Sequence, residues 1–200
     1  EVETIELDFL MDDLPKLLSS MKVGADRIQQ IVASLRTFSR MDEAEMKAVN
    51  IHDGIDSTLM ILQHRFKAKH NQQEIAVIKT YGNLPLVECY PGQLNQVFMN
   101  LLSNAIDALE MDINKSDRPG KNLAITISTE VTDNNCVVMR IADSGPGMSE
   151  DVKKRLFDPF FTTKPIGKGT GLGLAISHSI IVEKHGGELS CHSVLGEGSE

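Results

Sequence analysis

Apolar residues recur along this chain at two different periods, and the change of period marks its organisation. Leu17, Met21, Gly24, Ile28, Ile31, Leu35 and Phe38 follow one another in alternating steps of four and three. That is the seam of a helix packed narrowly on another helix. Arg27, Gln29, Gln30, Arg36 and Arg40 fall off the seam and should be wet. One helix packed on its own domain is the plainer alternative, but so narrow a seam favours a helical hairpin or bundle. Residues 1–15, acidic and carrying Pro15, read as a lead-in or a short helix, and the acidic run 42–45 as a solvated charge run near the end of the long helix.

Beyond residue 48 the periods alternate. Ile55, Leu59, Ile61, Leu62 and Phe66 predict a helix over 52–67, polar 69–74 a turn, and 75–81 a strand. Gly82 to Pro85 breaks the chain before a short strand at 86–90. Pro91, favoured in a first helical turn, opens a helix to about Met111, with Val97, Leu101, Leu102, Ala105, Ile106 and Leu109 on its apolar face. A polar loop, 112–122, follows. Strands at 123–131 and 136–142, joined through Asp133-Asn134-Asn135, form an antiparallel pair in which Val137, Met139 and Ile141 alternate as on a half-buried strand. Ser149 reads as the N-cap of a short helix over 150–157. A loop over 158–168, a helix over 171–185 ended by Gly186-Gly187, a last strand at 188–194 and a trailing turn at 196–200 complete the chain.

Two stretches carry candidate chemistry. Asp143 follows the apolar run 136–142 and precedes Gly145 and Gly147, which sets a carboxylate at a sheet edge beside bare backbone where a flat polar ligand can approach closely. Gly167-Lys168-Gly169-Thr170-Gly171-Leu172-Gly173-Leu174 runs into a helix, so its N–H groups and the helix N-terminus face a phosphate. The loop between them holds aromatic residues and two lysines, and reads as a lid. On the helix from Pro91, Asn100 and Asn104 stand at i, i+4 although asparagine is a mediocre helix former. Their amide oxygens could converge on a hydrated magnesium ion, or both could be ordinary polar surface. Spacing alone leaves the two readings open.

Composition narrows the partners. Two hundred residues with 41% hydrophobic and 24% charged content suit one compact domain plus an extra element. A net charge of -8 argues against a general nucleic-acid binder, and an anionic ligand therefore needs glycine amides, lysines or a metal. Cys89, Cys136 and Cys191 show neither disulfide nor metal spacing, which points to a reducing compartment such as the cytoplasm. No run reaches transmembrane length and no signal-peptide pattern is present. His52, His64 and His70 have no acidic or cysteine partner at ligand spacing and read as surface or core residues. The abrupt start and end are those expected of part of a longer protein.

Four stretches, taken in order, resemble the ATP-binding catalytic domain of sensor histidine kinases. The helix segment from Asn95 to Ala108 resembles the family's N box, and Asp143-Ser-Gly-Pro-Gly-Met148 its first glycine box. Leu156-Phe-Asp-Pro-Phe-Phe-Thr-Thr-Lys164 resembles the phenylalanine box, and Gly167 to Leu174 the second glycine box. Any one of them is a weak sign, whereas four in order over about 53–199 are specific. Residues 1–48 contain the lead-in and a helix similar to the second helix of the family's dimerisation and phosphotransfer hairpin, while 49–200 form the catalytic domain with its last strand truncated. The likeness extends to soluble cyanobacterial-type members.

The resemblance implies an α+β, two-layer sandwich of the Bergerat type, a mixed sheet covered by helices with ATP on the helical side beneath a mobile lid. It makes Asp143 the acceptor of the adenine amino group, with Gly145, Gly147 and Met148 around the base. Asn104 becomes the magnesium ligand with Asn100 beside it, and Asp107 joins the same helix face. Thr163, Lys164, Lys168, Gly169, Thr170, Gly171, Leu172 and Gly173 line the phosphates, while Phe157, Phe160 and Phe161 anchor the lid by packing. The implied activity is transfer of the ATP γ-phosphoryl group to a histidine on an upstream helix of the same protein, relay to a response-regulator receiver domain, and homodimerisation of the parent. Gyrase-, chaperone- and mismatch-repair-type relatives carry a glutamate four residues before the metal asparagine; here Asn100 stands there, and an amide is no general base. Transfer is therefore favoured over hydrolysis, with a catalytically silent nucleotide-binding scaffold as the other alternative. Two departures stand out: Asp107 occupies the place of a lysine found in many members, and none of the six histidines has the setting of the family's phosphorylated residue. The chain alone is expected to bind ATP without phosphorylating itself.

Overall fold

The computed structural model describes residues 14, 16–18, 21, 22, 25, 45–67, 73–115, 122–165 and 169–200. Leu14, Lys16, Leu17, Leu18, Met21, Lys22 and Ala25 are helical and exposed. The rest of the heptad seam, most of the acidic run 42–45 and most of the turn over 69–74 lie outside the described residues.

The first strand, β1 (Lys47–Val49), was not anticipated and pairs antiparallel with β3 (Val87–Cys89) as a two-stranded ribbon. Between them come helix α1 (Ile51–Phe66) and β2 (Ala76–Tyr81). Asn50 caps α1 from an extended backbone, its side-chain oxygen accepting the His52 N–H at 3.1 Å, and Asp53 complements the positive helix end. Helix α2 (Pro91–Lys115) runs four residues past the expected end, because no breaker intervenes before Pro119-Gly120. It is followed by β4 (Ala124–Val131) and β5 (Val137–Asp143), closed by a turn in which Thr132 and Cys136 exchange hydrogen bonds.

The main sheet has the order β2-β4-β5-β7-β6, where β6 is Ser193–Val194 and β7 is Gly198–Ser199. Its β2–β4 pair is parallel and the others antiparallel, giving the mixed sheet expected. Strand β4 alternates as a strand with one covered face must. Ile125, Ile127 and Thr129 are buried, while Thr126 and Ser128 on the opposite face are half-exposed. Ile55 and Leu62 of α1, with Leu102, Ile106 and Leu109 of α2, pack on that buried face; Val137, Met139 and Ile141 lie against the same core.

The C-terminal part corrects two expectations. Residues 188–191 are irregular, and of the expected last strand only its end pairs: Ser193 and Val194 form β6, and His192 exchanges backbone hydrogen bonds with Glu200 at 2.8 and 2.7 Å. The trailing turn is instead a strand, β7, which closes a tight hairpin with β6 and adds to β5 through Ser199. Short helix α3 (Glu150–Lys153) stops before the expected Phe157, and Ser149 stands at its start without a side-chain cap bond. The last helix, α4 (Gly173–His178), starts two residues late and continues as a π-helical turn, Ser179–Lys184.

Candidate nucleotide site

Helix α2 gathers the three other stretches along one face. Asn100, Asn104, Asp107 and Ala108 recur at steps of four, three and one, so they share that face. The Asn100 amide nitrogen donates to the Gly173 carbonyl at 3.0 Å and to Ser177 Oγ at 3.2 Å, which fixes the start of α4 against α2. One turn on, Asn104 Oδ1 accepts from the Lys164 ammonium at 3.0 Å. The same ammonium is paired with Asp107 Oδ2. A Cβ placed on Gly145 would stand 3.4 Å from the Ala108 methyl, so the Asp143 turn borders the next position. The two asparagines therefore act separately here, one on α4 and the other on the loop lysine.

Asp107 is the hub of a charged cluster. Its Oδ1 accepts from Arg65 Nη2 at 2.5 Å, and the same nitrogen reaches Glu110 Oε2 at 2.7 Å. Burial by itself pushes the Asp107 carboxyl up, but hydrogen bonds from Lys164 and Arg65 outweigh it and hold the group below its ordinary 3.8. Burial likewise disfavours the Arg65 charge, and Glu110 and Asp107 more than restore it. Arg65 and Glu110 were missed from sequence. The legible signal was two carboxylates one turn apart on a face otherwise polar and uncharged, which calls for a cation from elsewhere.

Asp143 ends an interior strand, which corrects the sheet-edge expectation: its backbone pairs with Ile125 on one side and Ser199 on the other. The physical reason is the return of the chain end as β7. Asp143 Oδ1 accepts the Gly145 N–H at 2.8 Å, and a Cβ on Gly145 would stand 2.5 Å from that oxygen. Gly147 takes φ +66°, and the Met148 N–H is fixed by Ser193 Oγ at 2.8 Å. Cys191 lies nearby, its thiol pushed up by burial and by the Asp143 charge against the opposing pull of Lys153.

The loop after α3 is anchored unevenly. Phe157 packs on His178 with ring centroids 5.1 Å apart, and the Phe161 ring lies 4.4 Å from the Arg155 guanidinium. Phe160 does not pack as expected, being 75% exposed. Its backbone is the anchor instead, since Gly171, at φ +66°, is pressed so close that a Cβ would lie 2.4 Å from the Phe160 carbonyl carbon. Thr162 Oγ1 accepts the Lys164 N–H at 3.1 Å and would lie 2.8 Å from a Cβ on Gly169. Thr163 is exposed, and Thr170 Oγ1 accepts the Leu172 N–H at 3.4 Å. Lys168 lies outside the described residues.

Whether this face suits a divalent cation can be read from the lysine. Asn104 Oδ1 and the Asp107 carboxylate both turn on one ammonium, so they already present oxygens to a cation. Among the described residues no group of three or more His, Cys, Asp or Glu side chains could hold a metal by itself. A magnesium ion here would therefore rely on amide oxygen, ligand phosphate and water, as magnesium in nucleotide sites commonly does.

A mixed sheet under two helices, with glycine-rich turns and a lysine loop gathered on one helix face, defines a nucleotide-binding ATPase-type domain. Residues 89–200 match the family described as histidine kinase-, DNA gyrase B- and HSP90-like ATPase, and the chain belongs to that family. The sensor histidine kinase ZraS of Salmonella typhi is 31% identical over 92% of this chain, and the sporulation kinase E of Bacillus subtilis 32% over 86%. The chain spans only 36% and 21% of their lengths. Among solved structures, the catalytic domain of histidine kinase ThkA in a nucleotide-free form superposes with a TM-score of 0.62 at 29% identity. That match covers 78% of this chain and 91% of that one. The domain is accordingly a histidine kinase catalytic ATP-binding domain. Among the described residues no helix is long and apolar enough to cross a membrane.

Proposed function

We propose that the chain binds magnesium–ATP on the α2 face and serves phosphoryl transfer to a histidine supplied from outside these 200 residues, for relay to a response-regulator receiver domain. The observation that carries this reading is the single helix face on which Asn100, Asn104 and Asp107 meet α4, Lys164 and Arg65. In this reading Asp143 accepts a hydrogen bond from the adenine amino group, and the neighbouring Gly145, Gly147 and Met148 bound the base. Asn104, with Asn100 a turn earlier, is the amide oxygen donor to magnesium, which when bound neutralises phosphate charge. Lys164, with Lys168, supplies positive charge to the phosphates, beside Thr163 and the amides of Gly169, Thr170, Gly171, Leu172 and Gly173. Positioning and electrostatics then do most of the work, as is usual for phosphoryl transfer.

Asn100 separates transfer from hydrolysis. Its amide nitrogen is engaged with Gly173 and Ser177, and an amide cannot take a proton from water. The division we propose is a dimerisation and phosphotransfer part in residues 1–48 and the catalytic domain in 49–200, with the parent a cytoplasmic-facing homodimer and nucleic acid not among its partners. The test is calorimetric titration with a non-hydrolysable ATP analogue, with and without magnesium, beside Asp143→Asn. Loss of the carboxylate should cost on the order of 1–3 kcal/mol, roughly five- to 150-fold in affinity. A labelled histidine on an acceptor hairpin supplied in trans supports transfer. Binding without labelling indicates a silent scaffold, and steady phosphate release by the chain alone would overturn transfer in favour of hydrolysis.

A further inference from the structure

Arg65 belongs to α1, outside residues 89–200 that match the family, and the reading above gives it no role toward the nucleotide. We infer that Arg65 is a positioning residue of the nucleotide site: by holding one oxygen of Asp107, it lets that carboxylate release Lys164 when a metal–nucleotide arrives. The inference rests on the proposed nucleotide reading and concerns how that site is made ready.

In the structure the Lys164 ammonium is bound to Asn104 Oδ1 and to Asp107. The amide oxygen proposed for the metal and the ammonium proposed for the phosphates are thus engaged with each other. Ligand binding has to exchange them, the oxygen for the metal and the ammonium for phosphate. Asp107 is the obstacle, because its side chain is only 24% exposed. A carboxylate so placed would lose its compensation if Lys164 were its one cation, and stranding a partly buried charge is costly. The Arg65 fork removes that obstacle, lying 2.5 Å from Asp107 Oδ1 and 2.7 Å from Glu110 Oε2. Among the described residues, Arg65 and Lys164 face Asp107 and Glu110 in the latched state. Once Lys164 leaves, Arg65 still compensates Asp107. Arginine suits this post because it is always charged and reaches both carboxylates with one rigid group.

Loss of the guanidinium should therefore weaken nucleotide binding and tighten the hold on Lys164 together. A purely structural bridge between α1 and α2 would loosen the loop instead. Two measurements on the full chain separate these. The first is calorimetric titration with AMP-PNP and magnesium for Arg65→Gln, Asp107→Asn and the double variant. Arg65→Gln should lower affinity roughly tenfold alone, and less than about twofold once Asp107 is asparagine. Equal losses in both backgrounds, or none in the first, overturn the inference. The second is acetylation of Lys164 by acetic anhydride in nucleotide-free protein, with Lys79 as internal reference and mass spectrometry as readout. Arg65→Gln should slow it, and faster acetylation overturns the inference. If the unsubstituted chain binds no AMP-PNP, the nucleotide reading fails, while acetylation still reports whether Arg65 governs Lys164.

Discussion

Gly171 and Gly186 share a left-handed backbone, at φ +66° and +64°, but not a neighbourhood. Nothing lies within 4 Å of a Cβ built on Gly186, whereas one on Gly171 would collide with the Phe160 backbone. Gly186→Ala should cost only the conformational penalty, about 1 kcal/mol. Gly171→Ala should cost at least about 2 kcal/mol and detach the lysine loop, lowering nucleotide affinity as well. Urea unfolding of both variants tests the contrast, and equal costs would show that the Phe160–Gly171 contact carries no energy. The thiols offer a second test at this scale. Burial pushes the Cys89 thiol up to about 11, whereas Cys136 is exposed. Alkylation proceeds through the thiolate. Iodoacetamide near pH 8 should therefore label Cys136 readily and leave Cys89 unmodified until the chain is unfolded, as peptide mass spectrometry would read.

Among the elements, those with several turns or alternations were legible. Helices α1 and α2 and strands β4 and β5 carry enough apolar periods to fix type and face. Strands β1, β6 and β7 hold two or three residues each, too few to show any period; β1 depends on distant β3, and the β6–β7 hairpin on its attachment to distant β5. This is why the sheet-edge expectation for Asp143 failed while its place at a strand end held. The asparagine face and glycine turns were visible because their residue types are odd for their elements. Arg65 was not, since it meets Asp107 across 42 positions and resembles any basic residue in a last helical turn. The π turn after α4 shows a similar long-range tie. His185 Nε2 accepts the Tyr90 N–H at 3.0 Å, so Nδ1 carries the proton that it donates to the Ile180 carbonyl at 2.8 Å. One ring thus joins the end of the π turn to the residue preceding α2. His185→Ala leaves both backbone groups without that partner and should cost on the order of 1–3 kcal/mol. Denaturant unfolding would measure it, and a loss below about 0.5 kcal/mol would mean that water replaces the ring without penalty.

At the scale of the whole molecule, the Arg65–Asp107–Lys164 cluster joins α1, α2 and the loop before α4, so its protonation couples all three. The folded Asp107 carboxyl lies below its ordinary 3.8 because the bonds from Lys164 and Arg65 overcome its burial. The unfolded state therefore binds the proton first, and stability must fall as pH falls through this range. The contribution is present in full above the ordinary value and disappears as the pH drops through the folded one. Asp107→Asn should therefore be less stable than the parent chain at neutral pH, by about 2 kcal/mol for hydrogen bonds made by a charged group. That gap should stay level from about pH 5 to 8, where Asp107 keeps its charge in both states, and close below about pH 3.8. Urea unfolding of both chains across this range measures it. A gap that persists undiminished at about pH 3 would mean that the carboxylate stabilises by shape alone, and the cluster could not then be the electrostatic tie between loop and helices.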